Sequence, residues 1–305
     1  MAVLELQSVR SDHIPYRHLE TSLKKQAVRV LAGLSPTALR YLAHRYPFER
    51  GRWPALSALL EDERGRAWLA SLENPTRTRR GFEIYTLAGD LTSDWIKLHG
   101  QHEVATERFI LDHLRPEGVF LDIGANIGYF ALLAASTGSK SVAFEPQPQI
   151  AGLLLNSVAH NRLGHLIRVE QLALSDSVAI MGMTSCPGNT GHAQLAGLDC
   201  EGAQPLAVTV LPLDSWLDAN PTGPVSVCKI DTEGAELQVL AGMPRLIERD
   251  RPAVVLECID DFLSEFGGSG PKVSALFHDY GYEEVSKRYA THGDRNRYFV
   301  RRTPR

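Results

Sequence analysis

A glycine-containing turn after a short apolar run constrains the fold more than any other part of this chain. Residues 119–123 are apolar apart from Asp122, and Gly124, Asn126 and Gly128 follow before a second apolar run begins. Glycine adopts left-handed backbone conformations and has no Cβ, so such a turn lets the backbone pass close to a ligand. A helix that starts there presents unpaired N–H groups. The pattern predicts a strand, a ligand-binding turn and a helix, as in nucleotide-binding α/β folds.

The other side chains of the turn favour one class of nucleotide. A dinucleotide-binding turn would have a glycine and a small residue where this chain has Asn126 and Tyr129. Asp122 suits a ligand with an ammonium group and a sulfonium cation better than it suits a pyrophosphate. S-adenosylmethionine carries both cations. We therefore predict that one part of its binding site consists of Asp122, Gly124, Ala125, Asn126 and Gly128.

Strand and helix patterns alternate along most of the chain. Strands are predicted at 119–123, 140–144, 167–172, 225–230, 252–256, 282–286 and 297–301. This alternation predicts an α/β fold with a Rossmann-like, doubly wound and mostly parallel seven-stranded sheet. The last two segments predict a hairpin around Gly293 and Asp294 that adds an antiparallel strand. Residues 81–305 are assigned to this domain.

Residues 1–80 predict a separate helical module, with Pro36 and Pro54 each placed to open a helix. The alternating runs 81–87 and 93–98 predict a hairpin-like entrance to the main domain.

An insertion between the third and fourth predicted strands, roughly 177–212, contains two β-like stretches. The polar segment 186–192 between them predicts a loop that forms a wall of the substrate site.

Acidic residues follow several predicted strands, at the edge of the sheet where open α/β folds bind ligands. Glu145 stands about 20 residues after Gly124, the separation at which an acid accepts hydrogen bonds from ribose hydroxyls. Asp176 is placed to accept from an adenine amino group, and Leu174 offers an apolar wall. We predict that these three residues, Glu145, Leu174 and Asp176, bind the nucleoside part of the cofactor.

These motifs resemble those of the FkbM-type methyltransferases, a branch of the S-adenosylmethionine-dependent Rossmann-like enzymes. The resemblance covers about residues 82–260, and its matching segments are 121–130, 144–146, 173–176, 213–217 and 229–236. This chain has Ser175 where the family commonly has glycine. The resemblance implies methyl transfer to oxygen, typically to a hydroxyl of a sugar, polyketide or related natural product. Residues 1–80 show no such resemblance.

Methyl transfer from a sulfonium is an in-line displacement that needs a closely held acceptor and a group to take its proton. Asp231 and Glu233, beyond the fourth strand, are our candidates for the general base or for acceptor orientation. Lys229 lies on the same strand face as Asp231 and either keeps it ionised or forms a structural ion pair. His192 and His278 are alternative bases.

Other interpretations of the site stay open. Mg²⁺ held by Asp231 and Glu257, with Asp260 or Asp261, would acidify the hydroxyl in place of a base. An NAD-dependent oxidoreductase shares the fold and the ribose-binding acid, and a non-catalytic domain would keep the cofactor pocket alone. Glu236 is interpreted as structural, because an acid at the start of a helix interacts favourably with the helix dipole.

The four cysteines show no CxxC spacing, which predicts reduced thiols. The N-terminal residues lack the features of a secretory signal, and no apolar run approaches the ~18 residues of a membrane span. We expect a cytoplasmic protein with a small hydroxylated acceptor, and a homo-oligomer is compatible with the sequence. Basic residues concentrate in residues 1–80 but follow amphipathic patterns, so nucleic acid is not the expected partner.

Overall fold

The computed structural model describes residues 63–186, 188–195, 204–290 and 294–302. Of the predicted N-terminal helices, those within residues 1–62 lie outside this range. Among the described helices, none is both long and apolar enough to cross a membrane.

The described elements alternate between strands and helices over most of the chain. The strands are β1 (Thr76–Arg77), β2 (Glu83–Ile84), β3 (Val119–Ile123), β4 (Lys140–Phe144), β5 (Ile167–Glu170), β6 (Ala173–Leu174), β7 (Ala179–Cys186), β8 (Asn189–Leu195), β9 (Gln204–Leu211), β10 (Val225–Ile230), β11 (Ala253–Glu257), β12 (Tyr282–Glu284) and β13 (Asn296–Arg301). The helices are α1 (Glu63–Ser71), α2 (Leu91–His99), α3 (Val104–His113), α4 (Tyr129–Ser136), α5 (Pro148–His160), α6 (Leu213–Ala219), α7 (Glu236–Ala241), α8 (Pro244–Asp250), α9 (Asp260–Glu265), α10 (Gly270–Asp279) and α11 (Ser286–Tyr289).

The main sheet has seven strands in the order β12-β13-β11-β10-β3-β4-β5. Strands β11, β10, β3, β4 and β5 pair in parallel, whereas β13 pairs antiparallel with both of its neighbours. The predicted Rossmann-like sheet with one antiparallel C-terminal strand is confirmed. Helix α11 lies between β12 and β13, so their connection is longer than the predicted hairpin turn, and Gly293 lies outside the described residues.

Hydrophobic cores cover both faces of this sheet. Every residue of β3 and β10 is buried, and neighbouring side chains point to opposite cores. Phe120 packs in the core that contains residues of α3, α4 and α5, whereas Leu121 packs in the core formed with α6, α7 and α8. Burial on both faces explains why these strands are nearly continuous apolar runs in the sequence.

The segment 93–98 is helical, and the predicted strand there is wrong. It belongs to α2, which is capped at both ends: the Asp90 carboxylate accepts from the Ser93 N–H at 2.9 Å, and Gly100 adopts a left-handed φ of 67°. Capping satisfies groups that a short helix otherwise leaves unpaired. These caps stabilise a helix where the alternating pattern alone favoured a strand.

The insertion forms a second sheet in the order β6-β9-β7-β8. The segment 186–192, predicted as a loop, contains the end of β7 and the start of β8. Cross-strand pairing continues as far as Cys186 and Asn189. The Gly188 carbonyl accepts a hydrogen bond from the Leu91 N–H at 3.2 Å, which joins this hairpin to the start of α2.

The carboxyl ends of β3 and β10 are in backbone contact. Gly124 has a φ of 75°, and a Cβ placed on it would lie 1.8 Å from the Asp231 carbonyl oxygen. The Asp231 N–H donates to the Ile123 carbonyl at 3.0 Å. At Gly128, a Cβ would lie 2.0 Å from a side-chain carbon of Leu154. Both glycines are therefore required by packing within the protein, whereas the sequence interpretation assigned them to ligand approach.

Gly124→Ala should destabilise the protein by roughly 3 kcal/mol or more, because it combines a disfavoured backbone conformation with a clash against the Asp231 carbonyl. Gly138→Ala is the matched control: its φ is 91°, but nothing lies within 4 Å of the added Cβ. We expect a loss of about 1 kcal/mol there from backbone strain alone. Urea unfolding of both variants measures the difference, and equal losses would contradict the close approach.

Candidate functional site

A cavity of about 260 Å³ opens at the carboxyl ends of the central strands of the main sheet. It is lined by residues from the turn after β3, from the ends of β4, β10 and β11, and from the insertion sheet. The predicted site residues that line it are Gly124, Ala125, Asn126, Glu145, Leu174, Lys229, Asp231, Glu233 and Glu257. The insertion contributes Asn189 and Gly191, so it forms a wall of the cavity as a strand rather than as a loop.

Backbone N–H groups in the turn after β3 already have protein acceptors. The N–H groups of Gly124 and Ala125 donate to the Phe144 carbonyl at 3.0 and 2.9 Å. The Asn126 N–H donates to the Glu145 carboxylate at 2.9 Å, and the Ile127 N–H donates to Asn126 Oδ1 at 2.8 Å. The Gly128 N–H donates to the Ala125 carbonyl at 2.9 Å. The sequence interpretation expected unpaired N–H groups here. Binding of a pyrophosphate relies on such free N–H groups, so this turn is poorly suited to a dinucleotide.

Glu145 is the buried acid at the floor of the cavity, directly after β4. Its two carboxylate oxygens accept hydrogen bonds from the N–H groups of Asn126 and Gln147, each at 2.9 Å. The Gln147 side chain also hydrogen-bonds to this carboxylate, which has about four acceptor sites, so roughly one of them stays open for a ligand hydroxyl. Burial raises the pKa of Glu145 to about 7, although both backbone hydrogen bonds favour its ionised form.

Asp122 lies beneath the cavity and is fully buried. Its Oδ2 accepts from the Ala131 N–H at 3.0 Å, so it holds the first turn of α4 against β3. Burial raises the pKa of Asp122 to about 6, against the opposing effect of Lys229. The sequence predicted Asp122 at the ligand-binding surface. Its side chain is instead packed inside the protein and does not line the cavity.

Three carboxylates converge where β10 and β11 end. Asp231, Glu233 and Glu257 each offer an oxygen atom within 4.8 Å of the others. Burial, together with repulsion from Asp231 and Glu233, raises the pKa of Glu257 well above its ordinary value. These hard oxygen donors suit either a shared proton or a divalent cation. Asp260 and Asp261, the other predicted ligands, are exposed and outside this group, and Asp260 accepts from the Gly270 N–H at 2.7 Å.

Lys229 is the buried cation of this cluster. Its Nζ donates to Asp231 Oδ2 at 2.9 Å and lies 5.3 Å from the centre of the Phe130 ring. Burial alone would lower the pKa of Lys229, but the carboxylates of Asp231 and Asp122 outweigh it and raise that pKa. The ammonium group is therefore charged, and it forms an ion pair with the Asp231 carboxylate.

The sequence analysis missed several polar residues of the cavity, among them His102, Glu103 and Arg295. Glu103 has a left-handed φ of 39° at the start of α3, and Asn296 Nδ2 donates to its carboxylate at 2.9 Å. His102 Nε2 lies 3.5 Å from the Glu103 carboxylate, and its ring packs 5.7 Å from that of Phe130. The polar run 101–103 between two apolar segments was the one sequence signal for His102 and Glu103.

Other predicted residues are not brought to the cavity. Asp176 is exposed and outside the lining, and Gly128 packs against Leu154. His278 is exposed on α10, beside Asp279. His192 belongs to β8, but its side chain lies outside what the structure describes. Glu236 begins α7 as expected, and its carboxylate accepts from the N–H groups of residues 232 and 234.

Comparison with known proteins identifies the family. The methyltransferase FkbM domain model matches residues 122–284. The 31-O-demethyl-FK506 methyltransferase FkbM of Streptomyces tacrolimicus is 29% identical over 220 residues, which are 61% of this chain and 81% of that protein. The hexuronic acid methyltransferase AglP of Haloferax volcanii is 25% identical over 192 residues, 60% of this chain and 76% of the relative.

A solved structure of methyltransferase FkbM from Methylobacillus flagellatus aligns with a TM-score of 0.41 at 16% identity, over 89% of this chain and 60% of that one. The family match covers more than half of the present chain and includes the turn, the acids after β10 and the helices that follow. This chain belongs to the FkbM methyltransferase family.

Proposed function

We propose that this protein transfers a methyl group from S-adenosylmethionine to a hydroxyl of a small acceptor, a sugar, a polyketide or a related natural product. The observation that carries this proposal is the position of Glu145. Its carboxylate lies at the cavity floor with acceptor capacity left for a ribose hydroxyl, next to a turn whose N–H groups are already paired. Two relatives are named for an O-demethylated FK506 and for a hexuronic acid, which is consistent with a hydroxylated small molecule.

The residues of the cavity fit the parts of this cofactor. Glu145 would accept from a ribose hydroxyl, Leu174 would pack against the adenine, and Asn126 would face the amino-acid end. Asp176 stays our prediction for the adenine amino group, although its side chain is exposed. When bound, S-adenosylmethionine supplies an electrophilic methyl group on a sulfonium. Carboxylates near that position favour a cation electrostatically.

The chain's own contribution is to hold the acceptor hydroxyl and to take its proton. Asp231 forms an ion pair with Lys229 and lies at the mouth of β10, where it can accept a hydrogen bond from the hydroxyl. Glu233 and Glu257 lie within the same cluster and can orient a second hydroxyl. Fixing the oxygen in line removes much of the entropic barrier to displacement.

The alternative of an NAD-dependent oxidoreductase is disfavoured by the paired turn. A calorimetric titration with S-adenosylmethionine and with NAD in parallel distinguishes them. Binding of the sulfonium cofactor alone with a Kd in the micromolar range, about −8 kcal/mol, supports the proposal. Binding of NAD alone would overturn it, and cofactor binding without turnover of any acceptor would favour a non-catalytic domain.

Cofactor affinity should rise with pH through the pKa of Glu145. That pKa is about 7, so its carboxyl group is mostly protonated at pH 6 and mostly ionised at pH 8. Only the ionised carboxylate keeps its remaining acceptor site for a ribose hydroxyl, so we expect affinity to increase about tenfold between these two pH values. Calorimetry at pH 6, 7 and 8 measures it.

The Glu145→Gln variant is the control for this pH dependence, because the cofactor's own amino group also titrates nearby. The variant should bind more weakly at pH 8 and lack the additional tenfold rise. An identical pH profile for both proteins would exclude Glu145 as the titrating contact.

Asp231→Asn should lower kcat on the order of 100-fold, because the variant cannot take the acceptor proton. Glu233→Gln tests whether the neighbouring acid shares this role. The affinity for S-adenosylmethionine should change less than about threefold, since the ribose contacts stay intact. Release of S-adenosylhomocysteine measures turnover, and Asp279→Asn, at an exposed acid on α10, is the control. Full activity of Asp231→Asn would remove this residue from the mechanism.

Turnover should be insensitive to chelation of divalent cations. The Lys229 ammonium already balances the charge of Asp231, and burial and neighbouring acids raise the pKa of Glu257, which disfavours an ionised ligand there. Activity is measured after dialysis against EDTA and again with added MgCl₂. More than a tenfold loss that Mg²⁺ restores would instead support a cation held by Asp231, Glu233 and Glu257.

A further inference from the structure

Arg295 is a cation of the cavity that the proposed methyl transfer does not use. It directly precedes β13, and its carbonyl accepts a hydrogen bond from the Cys258 N–H at 2.9 Å. The next residue, Asn296, pairs with Glu257 across the two strands and also donates to Glu103. The backbone of Arg295 is therefore fixed beside the acidic end of β11, and its half-buried side chain lines the cavity.

The Arg295 guanidinium has no charge partner in the described part of the chain. No carboxylate there lies within ion-pair distance of it, and no described group accepts a hydrogen bond from it. Arg297, two residues later, is different: it donates to the Gly270 carbonyl and to Ser274 Oγ, and it lies 3.9 Å from Glu284. A partly buried cation without such partners loses part of its hydration, and hydrogen bonds to an anionic ligand can compensate for that loss.

Two acids of the cavity already have partners on the chain. Asp231 is paired with Lys229 at 2.9 Å, and Glu103 accepts from Asn296 at 2.9 Å. Neither of them lies within ion-pair distance of Arg295, which stays available for an external anion.

The place of Arg295 in the sheet separates it from the cofactor turn. The strand order β13-β11-β10-β3 puts three inter-strand spacings between β13 and β3. Each spacing is about 4.8 Å, so Arg295 stands roughly 14 Å from the turn after β3. The carboxylate cluster, at the ends of β10 and β11, lies between Arg295 and that turn.

We propose that Arg295 binds a carboxylate or phosphate group of the acceptor, so that the substrate class is an anionic, hydroxylated molecule such as an acidic or phosphorylated sugar. This inference rests on the proposed function, because it assumes that the cavity holds an acceptor. The planar guanidinium of arginine forms paired hydrogen bonds with both kinds of oxyanion. In this arrangement Arg295 fixes one end of the acceptor while the carboxylate cluster meets its hydroxyls.

The test compares three sugars that differ at one carbon: D-glucose, D-glucuronate and D-glucose 6-phosphate. Each is titrated calorimetrically into the full-length protein, alone and with saturating S-adenosylhomocysteine. We expect saturable binding of at least one of the two anions and none of glucose. Arg295→Gln should weaken that binding at least tenfold, Arg295→Lys should retain part of it, and Arg302→Gln, at an exposed arginine, should leave it unchanged.

Several results would overturn the assignment: equal binding of glucose and the two anions, no saturable binding of either anion, or unchanged anion binding by Arg295→Gln. A tenfold loss of S-adenosylmethionine affinity in Arg295→Gln, with anion binding intact, would assign the guanidinium to the cofactor's carboxylate instead. Anion binding that depends on Arg295 in a protein that does not bind S-adenosylmethionine would support this site while rejecting the proposed methyl transfer. The two proposals therefore fail separately.

Discussion

The backbone contact between the ends of β3 and β10 determines the geometry of the whole site. The Asp231 carbonyl occupies the space that a side chain at position 124 would need, and the Asp231 N–H donates to Ile123. The turn after β3 and the acids after β10 are therefore joined by main chain rather than by flexible side chains. Displacement reactions are sensitive to small errors in position, and a rigid connection of this kind keeps such errors small.

The electrostatic design of the cavity concentrates carboxylates but limits their repulsion. One buried ammonium, Lys229, lies opposite Asp122 in the strand register and donates to Asp231. Burial, together with repulsion from its acidic neighbours, raises the pKa of Glu257. The same cluster can therefore accept a proton or orient a hydroxyl without requiring every acid to be ionised. Its cation is held against the Phe130 ring, in a position that solvent hardly reaches.

The sequence was sufficient for the central sheet because β3 and β10 are apolar at nearly every position, and burial on both faces demands that pattern. It misled at α2, where caps at Asp90 and Gly100 decided the structure. Glu145 was predictable from its spacing to the turn. Glu103 and Arg295 were not, since the contact that places Glu103 joins it to Asn296, at a separation of 193 residues. Such convergence depends on tertiary packing and leaves no local periodicity.

The insertion sheet lines the cavity but is not part of the seven-stranded main sheet. Strands β6 to β9 form a sheet of their own, separate from the seven strands that bury both hydrophobic cores. Their hairpin reaches back to the start of α2 through Gly188 and contributes Asn189 and Gly191 to the cavity wall. Substitutions in this wall can change the shape of the acceptor space while leaving the packing of the main sheet untouched. Selectivity can therefore diverge within such a scaffold at little risk to folding.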